Sequence, residues 1–298
     1  MNSEQKEDTR VKNREIIEKI LAYHPDLGPD YKGCDDWKCG DPERECTGVI
    51  TAMVATMNVI RETIRLGANL IIVHEPTFYT SEDGPGWFED FPNAVYEEKR
   101  KLLDDNGITI WRDHDHMHIH NPDGIFTGVI KYMGWEGRAV PDFDTGSFGH
   151  YIIDLPEEIT LEALCRQLID TIGLNGLRYI GDPKAKLRRA AIVGHLFPGP
   201  CTKKRSDGAE MEYGNVITQT LEERVDVILP GEVIDWTTAA YVRDAVQQGR
   251  AKAMINMGHM NWEELGMKYA KDWISELLGG AVSVTYVPSE DMYSFMLK

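Results

Sequence analysis

The sequence lacks an excess of basic residues. Its 298 residues include 32 Lys and Arg against 49 Asp and Glu, which gives a formal net charge of -17. Because affinity for nucleic acid comes largely from Lys and Arg that displace counterions from phosphates, we expect no nucleic-acid partner and no anionic membrane surface. A small anionic substrate stays open, since bound divalent ions would add positive charge that this count omits.

Paired cysteines and long apolar runs are also lacking. The five cysteines are odd in number and form no C-x-x-C pair of the kind that zinc ribbons use, which indicates reduced thiols. No apolar run approaches the roughly 18 residues that a membrane-spanning helix needs. The opening MNSEQKEDTR is too charged for a signal peptide, so we expect a cytoplasmic protein.

Strand and helix patterns alternate along most of the chain. GVITAMVAT, NVIRETIRLGAN and LIIVHEP predict a strand, an amphipathic helix and a buried strand, and the alternation resumes from YIIDLP to AKAMINMG. Such alternation favours mostly parallel sheets with helical crossovers. We therefore predict an α/β fold of two similar α/β lobes with mostly parallel or mixed sheets.

The lobe boundary is expected in residues 137–149, where Gly, Pro and Asp are frequent. This gives an N-terminal α/β lobe, residues 1–136, with the first histidine-rich segments, and a C-terminal α/β lobe, residues 137–298, with the segment GHMNWE. An interleaved arrangement of the lobes stays open. At this chain length we expect no large inserted domain.

Histidines and carboxylates follow three of the expected strands. His74 and Glu75 follow LIIV, the alternating histidines of HDHMHIH follow ITIW, and His259 and Glu263 follow AKAMIN. In open α/β sheets, functional residues gather at the carboxyl ends of the strands. Imidazole and carboxylate together suit zinc, iron, manganese or nickel, so the sequence predicts a metal site.

The local structure of HDHMHIH decides which of its histidines act together. In an extended chain its four histidines, His114, His116, His118 and His120, point to the same side, whereas a helical turn pairs His114 with His118. A helix that begins after Gly258 places His259 and Glu263 one turn apart on one face. Any one of these histidines alone is more typical of a hydrogen-bonded rim residue than of a metal ligand.

Three segments resemble a known family. CDDWKCGDP is similar to its D-N-x-G-L-x-x-G, IRLGANLIIVHEP resembles its A-D-L-I-I-T-H-H-P, and WEELGMKYAKDWI after GHMN resembles its G-H-x-x-x-E helix. The family is that of the Nif-three-like dinuclear-metal-centre hexameric proteins, also called type-two GTP cyclohydrolase I homologues. The resemblance implies two divalent ions per chain, of Zn, Fe, Mn or Ni, in the cleft between the lobes, and a homo-oligomer, expected to be a hexamer.

Carried over by position, the resemblance implies five metal ligands: His74, Glu75, His118, His259 and Glu263. Glu75 stands where the family has the second histidine of H-H-P, and His118 stands where it has a ligand aspartate. The two replacements are opposite in kind, so the ligand set still consists of imidazoles and carboxylates. The first replacement changes a nitrogen donor to an oxygen donor, which bears on metal preference.

Two further groups of residues are weaker candidates. His114 and Glu232 are expected to move protons in a catalytic reaction. Lys203, Lys204 and Arg205 form a basic cluster, KKRSDG, in a very acidic chain and are candidate contacts for an anion. The alternative is that the basic cluster lies in a solvated surface loop, which is the more common location of charged residues.

The expected function is that of a metal-dependent hydrolase that acts through a metal-activated water on a small substrate. The resemblance implies a nucleotide-like substrate, as for a GTP cyclohydrolase. The alternative is a non-catalytic metal-binding scaffold, storage or regulatory protein. An amidohydrolase or metallo-β-lactamase-like enzyme, which would use HDHMH, is disfavoured because Met117 stands where the lactamase motif needs Asp.

Overall fold

The computed structural model describes residues 11–81, 83, 90–140 and 151–296, except for the side chains of residues 200, 202 and 203. The chain forms two compact units. The first unit is Met1–Asn121 with Met267–Ser289, and the second is Pro122–Gly266 with Glu290–Lys298. The units are thus interleaved along the chain, an arrangement that the sequence left open. The predicted boundary lies further along the chain, and residues 141–150 of the expected linker are outside the described part.

The helices and strands alternate through most of the described chain. The strands are β1 (Trp37–Cys39), β2 (Val49–Ala52), β3 (Leu70–Val73), β4 (Thr109–Arg112), β5 (Tyr151–Thr160), β6 (Arg178–Ile180), β7 (Lys186–Ile192), β8 (Pro200–Lys204), β9 (Glu210–Glu212), β10 (Val227–Leu229), β11 (Ala253–Asn256) and β12 (Val284–Tyr286). The α-helices are α1 (Asn13–Tyr23), α2 (Met57–Leu66), α3 (Ala94–Asp105), α4 (Asp115–His118), α5 (Gly124–Tyr132), α6 (Leu161–Ile172), α7 (Tyr213–Glu223), α8 (Ala240–Gln247) and α9 (His259–Leu278). A π-helical segment, Asp235–Ala239, precedes α8.

The sheet of the first unit has the strand order β1-β4-β3-β2-β12. Its last four strands are parallel to one another, and β1 is an edge strand that pairs antiparallel with β4. The predicted βαβ unit is present as β2, α2 and β3. The side chain of Thr56 begins α2 by accepting a hydrogen bond from the Val59 N–H at 3.2 Å, and Gly67, with φ of 70°, ends it. Every residue of β2 and β3 is buried, as their continuous apolar sequence predicts.

The sheet of the second unit has the order β5-β7-β10-β11-β6, in which β7, β10 and β11 are parallel and the two edge strands are antiparallel. Helix α5 packs closely against the N-terminal half of α9. A Cβ atom on Gly128 would lie 2.4 Å from the Leu265 carbonyl oxygen, and one on Gly266 would lie 2.7 Å from the Ile125 Cα. Only glycine fits at this contact, which fixes the segment that begins at His259.

The fold-class prediction is confirmed: the protein is mixed α/β with two five-stranded sheets. The sequence missed β1, β6 and β12 and the hairpin of β8 and β9. Strands of three residues are too short to show a two-residue periodicity, which explains most of these omissions. None of the helices within the described residues is both long and apolar enough to cross a membrane.

Candidate metal centre

The first group of ligand-type side chains lies at the carboxyl ends of β3 and β4. These strands are parallel neighbours, with Val73 paired to Arg112. His74 follows Val73 directly and His114 comes two residues after Arg112, so the strand register brings the two imidazoles together. Nitrogen atoms of His74, His114 and His118 lie within 4.8 Å of one another. These three residues are called the first-unit cluster below.

The hydrogen bonds of His74 define which of its nitrogens can bind a metal. Its Nδ1 is 3.1 Å from the main-chain carbonyl oxygen of Asp113 and must donate, because a carbonyl oxygen only accepts. With this hydrogen bond on Nδ1, Nε2 is the nitrogen left to bind a metal, and it lies 3.1 Å from the Nε2 of His118. Two nitrogens on one tetrahedral ion, with metal–nitrogen bonds of about 2.0–2.1 Å, lie about 3.3 Å apart. The pair therefore fits a shared divalent ion.

His114 is held beside this pair as a neutral ring. Burial, with the neighbouring rings of His74 and His118, lowers the pKa of His114 to about 4. Its Nδ1 is 2.7 Å from Oδ1 of Asp115, which leaves Nε2 as its potential donor atom to a metal. Burial raises the pKa of Asp115, but hydrogen bonds from Tyr31 and His114 outweigh burial and hold that pKa well below its usual range. Asp115 therefore stays an ionised acceptor.

Glu75 differs from the neighbouring histidines because it already has a cationic partner. Arg112 donates from Nη2 to Oε2 of Glu75 at 3.1 Å and from Nε to the His74 carbonyl oxygen at 3.0 Å. The other Glu75 oxygen, Oε1, is 3.9 Å from Nε2 of His114. One carboxylate oxygen is thus bound to Arg112 while the second faces the first-unit cluster. The role of Glu75 as a metal ligand stays a prediction.

Asp35, which the sequence interpretation did not single out, holds the helical turn α4. Its oxygens accept hydrogen bonds from the backbone N–H groups of His114, Asp115 and His116 at 2.7, 3.0 and 2.9 Å. Nδ1 of His116 donates to Oδ2 of Asp35 at 2.7 Å. Burial raises the pKa of Asp35, but these hydrogen bonds outweigh burial and lower it. This cap favours the helical turn in HDHMHIH over an extended chain, and the turn pairs His114 with His118.

The second group of ligand-type side chains follows the three central parallel strands of the second unit. His195 comes after β7, Glu232 after β10 and His259 after β11, and ligand atoms of the three lie within 4.8 Å of one another. Helix α9 begins at His259, so Glu263 is one turn further on, with Oε2 3.2 Å from Nε2 of His259. The four residues are called the second-unit cluster below.

His195 has the opposite hydrogen-bond pattern to His74. The backbone N–H of Glu232 donates to its Nδ1 at 3.1 Å, so a neutral His195 carries its proton on Nε2. Its ring centroid is 4.0 Å from that of His259. His195 therefore offers a proton beside His259. The sequence interpretation did not assign His195 to a site, although its position after β7 was a usable signal.

The basic candidates Lys203, Lys204 and Arg205 lie at the end of β8 and directly after it. Lys204 and Arg205 are exposed, and Arg205 pairs with Asp207 at 3.2 Å between Nη2 and Oδ2. The Lys203 side chain lies outside the described part of the chain. Glu232 belongs to the second-unit cluster and is exposed. Anion binding by Lys203, Lys204 and Arg205 stays a prediction.

The fold and the clusters define a class: α/β proteins of two units, each with histidines and carboxylates at the carboxyl ends of parallel strands. The family model of Duf34/NIF3 (NGG1p interacting factor 3) matches residues 15–292. The chain belongs to the Duf34/NIF3 family.

Named relatives and solved structures agree with this assignment. A "GTP cyclohydrolase 1 type 2 homolog" from Clostridium acetobutylicum is 23% identical over 232 residues, which are 75% of each chain. One of the same name from Clostridium perfringens is 23% identical and covers 83% of this chain and 84% of the relative. A hypothetical protein of Staphylococcus aureus has a TM-score of 0.69 at 17% identity, covering 96% of this chain and all of that one. A Bacillus cereus protein related to NIF3 has a TM-score of 0.66 at 15% identity, covering 97% and 99%. These likenesses support the fold.

Proposed function

We propose that the protein binds divalent metal ions through its two clusters and hydrolyses a small, nucleotide-like substrate. One observation carries the metal proposal: the 3.1 Å approach of the Nε2 atoms of His74 and His118, with Nδ1 of His74 held by a carbonyl oxygen. Without an ion, two imidazole nitrogens this close must share a proton or face each other lone pair to lone pair. Nitrogen and oxygen donors together favour Zn, Fe, Mn or Ni.

Each cluster supplies its own set of ligands in this proposal. His74 and His118 bind through Nε2, with His114 and the inner oxygen of Glu75 beside them. In the second unit, His259 and Glu263 bind from adjacent turns of α9. Divalent ions held by these residues would supply Lewis acidity and would activate water for hydrolysis. The expected total for these two clusters is two ions per chain.

The remaining polar groups of the second-unit cluster move protons. Nε2–H of His195 donates a proton to the leaving group, and the exposed carboxylate of Glu232 accepts one from water. The name "GTP cyclohydrolase 1 type 2 homolog" of the curated relatives favours a purine nucleotide as the substrate. A hexameric assembly and a cytoplasmic location stay predictions.

The test begins with metal content. Protein purified without chelators is analysed by inductively coupled plasma mass spectrometry as the parent, His74→Ala, His259→Ala and the exposed control Asp105→Ala. We expect each histidine variant to lose about one equivalent relative to the parent, following one ion per cluster. The control should keep the parental content. Full metal retention by both histidine variants would refute the ligand assignment.

Turnover is tested separately on the metal-loaded parent. Purine and pyrimidine nucleoside triphosphates and simple phosphoesters are incubated with it, with and without a chelator, and products are separated by chromatography. A product formed only in the metal-loaded sample supports the hydrolase. Bound but readily exchanged metal with no product from any substrate would instead indicate a storage or scaffold protein.

A further inference from the structure

A second set of ligand-type side chains lies in the first unit beside the first-unit cluster. Ligand atoms of Asp35, Asp113 and His116 lie within 4.8 Å of one another. None of the three was expected to be a ligand from the family resemblance. Asp113 connects the two sets, because its main-chain carbonyl oxygen accepts the hydrogen bond from His74.

Asp113 is the residue of this set whose side chain has an incomplete set of hydrogen bonds. It is 0% exposed, and its Oδ2 is 2.9 Å from Nε2 of His24. Its other oxygen, Oδ1, is buried and accepts no hydrogen bond from any described residue. A buried polar atom without a partner costs free energy, and the cost is greater for an oxygen of a charged group. A cation at this oxygen removes that cost.

His116 is oriented as metal-binding histidines usually are. Its Nδ1 donates to Oδ2 of Asp35 at 2.7 Å, which leaves Nε2 as the nitrogen that can bind a metal. A carboxylate that accepts from one imidazole nitrogen while the other binds a metal is a common arrangement around such ions. Asp35 already accepts three backbone N–H groups and this imidazole, so it positions His116.

Both ring nitrogens of His24 already have partners. Its Nε2 faces Oδ2 of Asp113, and its Nδ1 is 2.6 Å from Nε2 of His120. Among the described residues, no Lys or Arg forms an ion pair with Asp35 or Asp113. Two buried carboxylates therefore lie close together, and neither has a Lys or Arg partner among the described residues. Such an electrostatic environment attracts a cation.

We propose that Oδ1 of Asp113 and the imidazole of His116 bind an additional divalent cation in the first unit, with Asp35 as the positioning residue. One oxygen and one nitrogen donor favour a metal such as Mn²⁺ or Zn²⁺ over Mg²⁺ or Ca²⁺, which prefer all-oxygen sites. This ion is separate from the one assigned to His74 and His118.

The test is a titration with Mn²⁺ alone, followed by electron paramagnetic resonance of the free ion. Chelator-treated full-length protein is compared as the parent, Asp113→Asn, His116→Gln, His118→Ala and the double variant Asp113→Asn/His118→Ala. We expect Asp113→Asn and His116→Gln each to bind one Mn²⁺ fewer than the parent. His118→Ala should lose a different ion, so the losses add in the double variant. The matched control is Asp105→Asn, an exposed carboxylate paired with Lys101.

The outcomes separate this site from the proposed function. If Asp113→Asn and His116→Gln bind the parental number of Mn²⁺ with dissociation constants within twofold, the additional site is refuted, whatever His118→Ala shows. If Asp113→Asn does not fold, His116→Gln decides, because it keeps the backbone hydrogen bond to Asp35. Electron spin echo spectra provide a second measurement: His116→Gln should lose one imidazole nitrogen coupling that His118→Ala retains, and an unchanged spectrum in His116→Gln contradicts the site.

Discussion

Nδ1 of His74 donates a hydrogen bond to the main-chain carbonyl oxygen of Asp113 at 3.1 Å. The bond joins the ends of the parallel neighbours β3 and β4, so its geometry depends on strand register more than on side-chain conformation. It fixes the ring proton on Nδ1 and turns Nε2 toward His118. The side chain of Asp113 forms part of the proposed additional cation site.

The buried ion pair of Glu75 with Arg112 gives a prediction about stability. Glu75→Gln leaves Arg112 buried without a carboxylate, although Arg112 keeps its hydrogen bonds to the carbonyl oxygens of His74 and Ser81. Removing one partner of a buried pair is strongly destabilising. Because Arg112 keeps its two carbonyl partners, we expect a fall in the free energy of unfolding at the lower end of the usual range, about 3 kcal/mol. Urea unfolding of the chelator-treated protein measures this change.

The control for this prediction is Glu62→Gln, which removes one partner of the exposed pair of Glu62 with Arg65. We expect no measurable change there, because exposed pairs are screened by solvent. Glu75→His should destabilise the protein like Glu75→Gln, since it also leaves Arg112 without a carboxylate. Equal stability of the Glu75 variants and the parent would mean that the pair contributes little.

Much of the fold could be predicted from the sequence because the patterns that specify its strands and helices lie within short stretches of neighbouring residues. The continuous apolar residues of β2 and β3 and the helix start at Thr56 and stop at Gly67 are readable from neighbouring residues alone. Position after an expected strand also singled out His74, His118, His259 and Glu263 as candidate ligands. Strands as short as β1 and β12 carry no such local signal, since they are defined by pairing with distant strands.

The hydrogen-bond partners within the site could not be predicted from neighbouring residues. Asp35 acts on residues about 80 positions away, and Arg112 and Glu75 meet only because β3 and β4 are neighbours. Whether HDHMHIH is helical depends on the Asp35 cap, so the sequence alone left both conformations open. The proton positions on His74 and His195 likewise depend on backbone groups that only the folded chain brings within reach.

A helix cap in the second unit gives the next prediction. Oδ1 of Asp123 accepts hydrogen bonds from the backbone N–H groups of Ile125 and Phe126 at 2.8 and 3.1 Å, at the start of α5. Asp123→Ala should lower the free energy of unfolding by about 1–2 kcal/mol, whereas Asp123→Asn retains a good cap and should change it much less. Chemical denaturation followed by circular dichroism measures both. An equal loss in the two variants would mean that the charge of Asp123 is more important than the cap.

The buried lysine of the first unit predicts a pH dependence. Lys99 is 2% exposed and its Nζ donates to the Thr77 carbonyl oxygen, and burial lowers the pKa of Lys99 to about 8. Between that value and the ordinary value of about 10.4, the unfolded chain holds a proton that the folded chain has released. Folding is therefore favoured as the pH rises through this range.

We expect the parent to gain about 2 kcal/mol of stability relative to Lys99→Met between pH 7.5 and 10.5. Urea unfolding at a series of pH values measures the free energy of unfolding of both proteins. Subtracting one value from the other removes the contribution of titrating groups that both proteins share. Lys101→Met, which removes an exposed lysine of the same helix, is the control and should show no such trend. A constant difference between the parent and Lys99→Met across this range contradicts a lowered pKa for Lys99.

His195 and His259 lie side by side but are expected to differ in function, because the Glu232 N–H occupies Nδ1 of His195 and leaves its proton on Nε2. His195→Gln should therefore keep the metal content of the parent while turnover of the substrate found in the nucleotide screen falls by about 10²–10⁴-fold, the usual contribution of a proton donor. His259→Ala should lose metal and turnover together. Metal analysis and kcat are measured on the same preparations, and KM should change little in His195→Gln if the residue acts on the proton alone. Loss of an equivalent of metal from His195→Gln would reassign His195 as a ligand, with its proton displaced from the nitrogen that binds the ion.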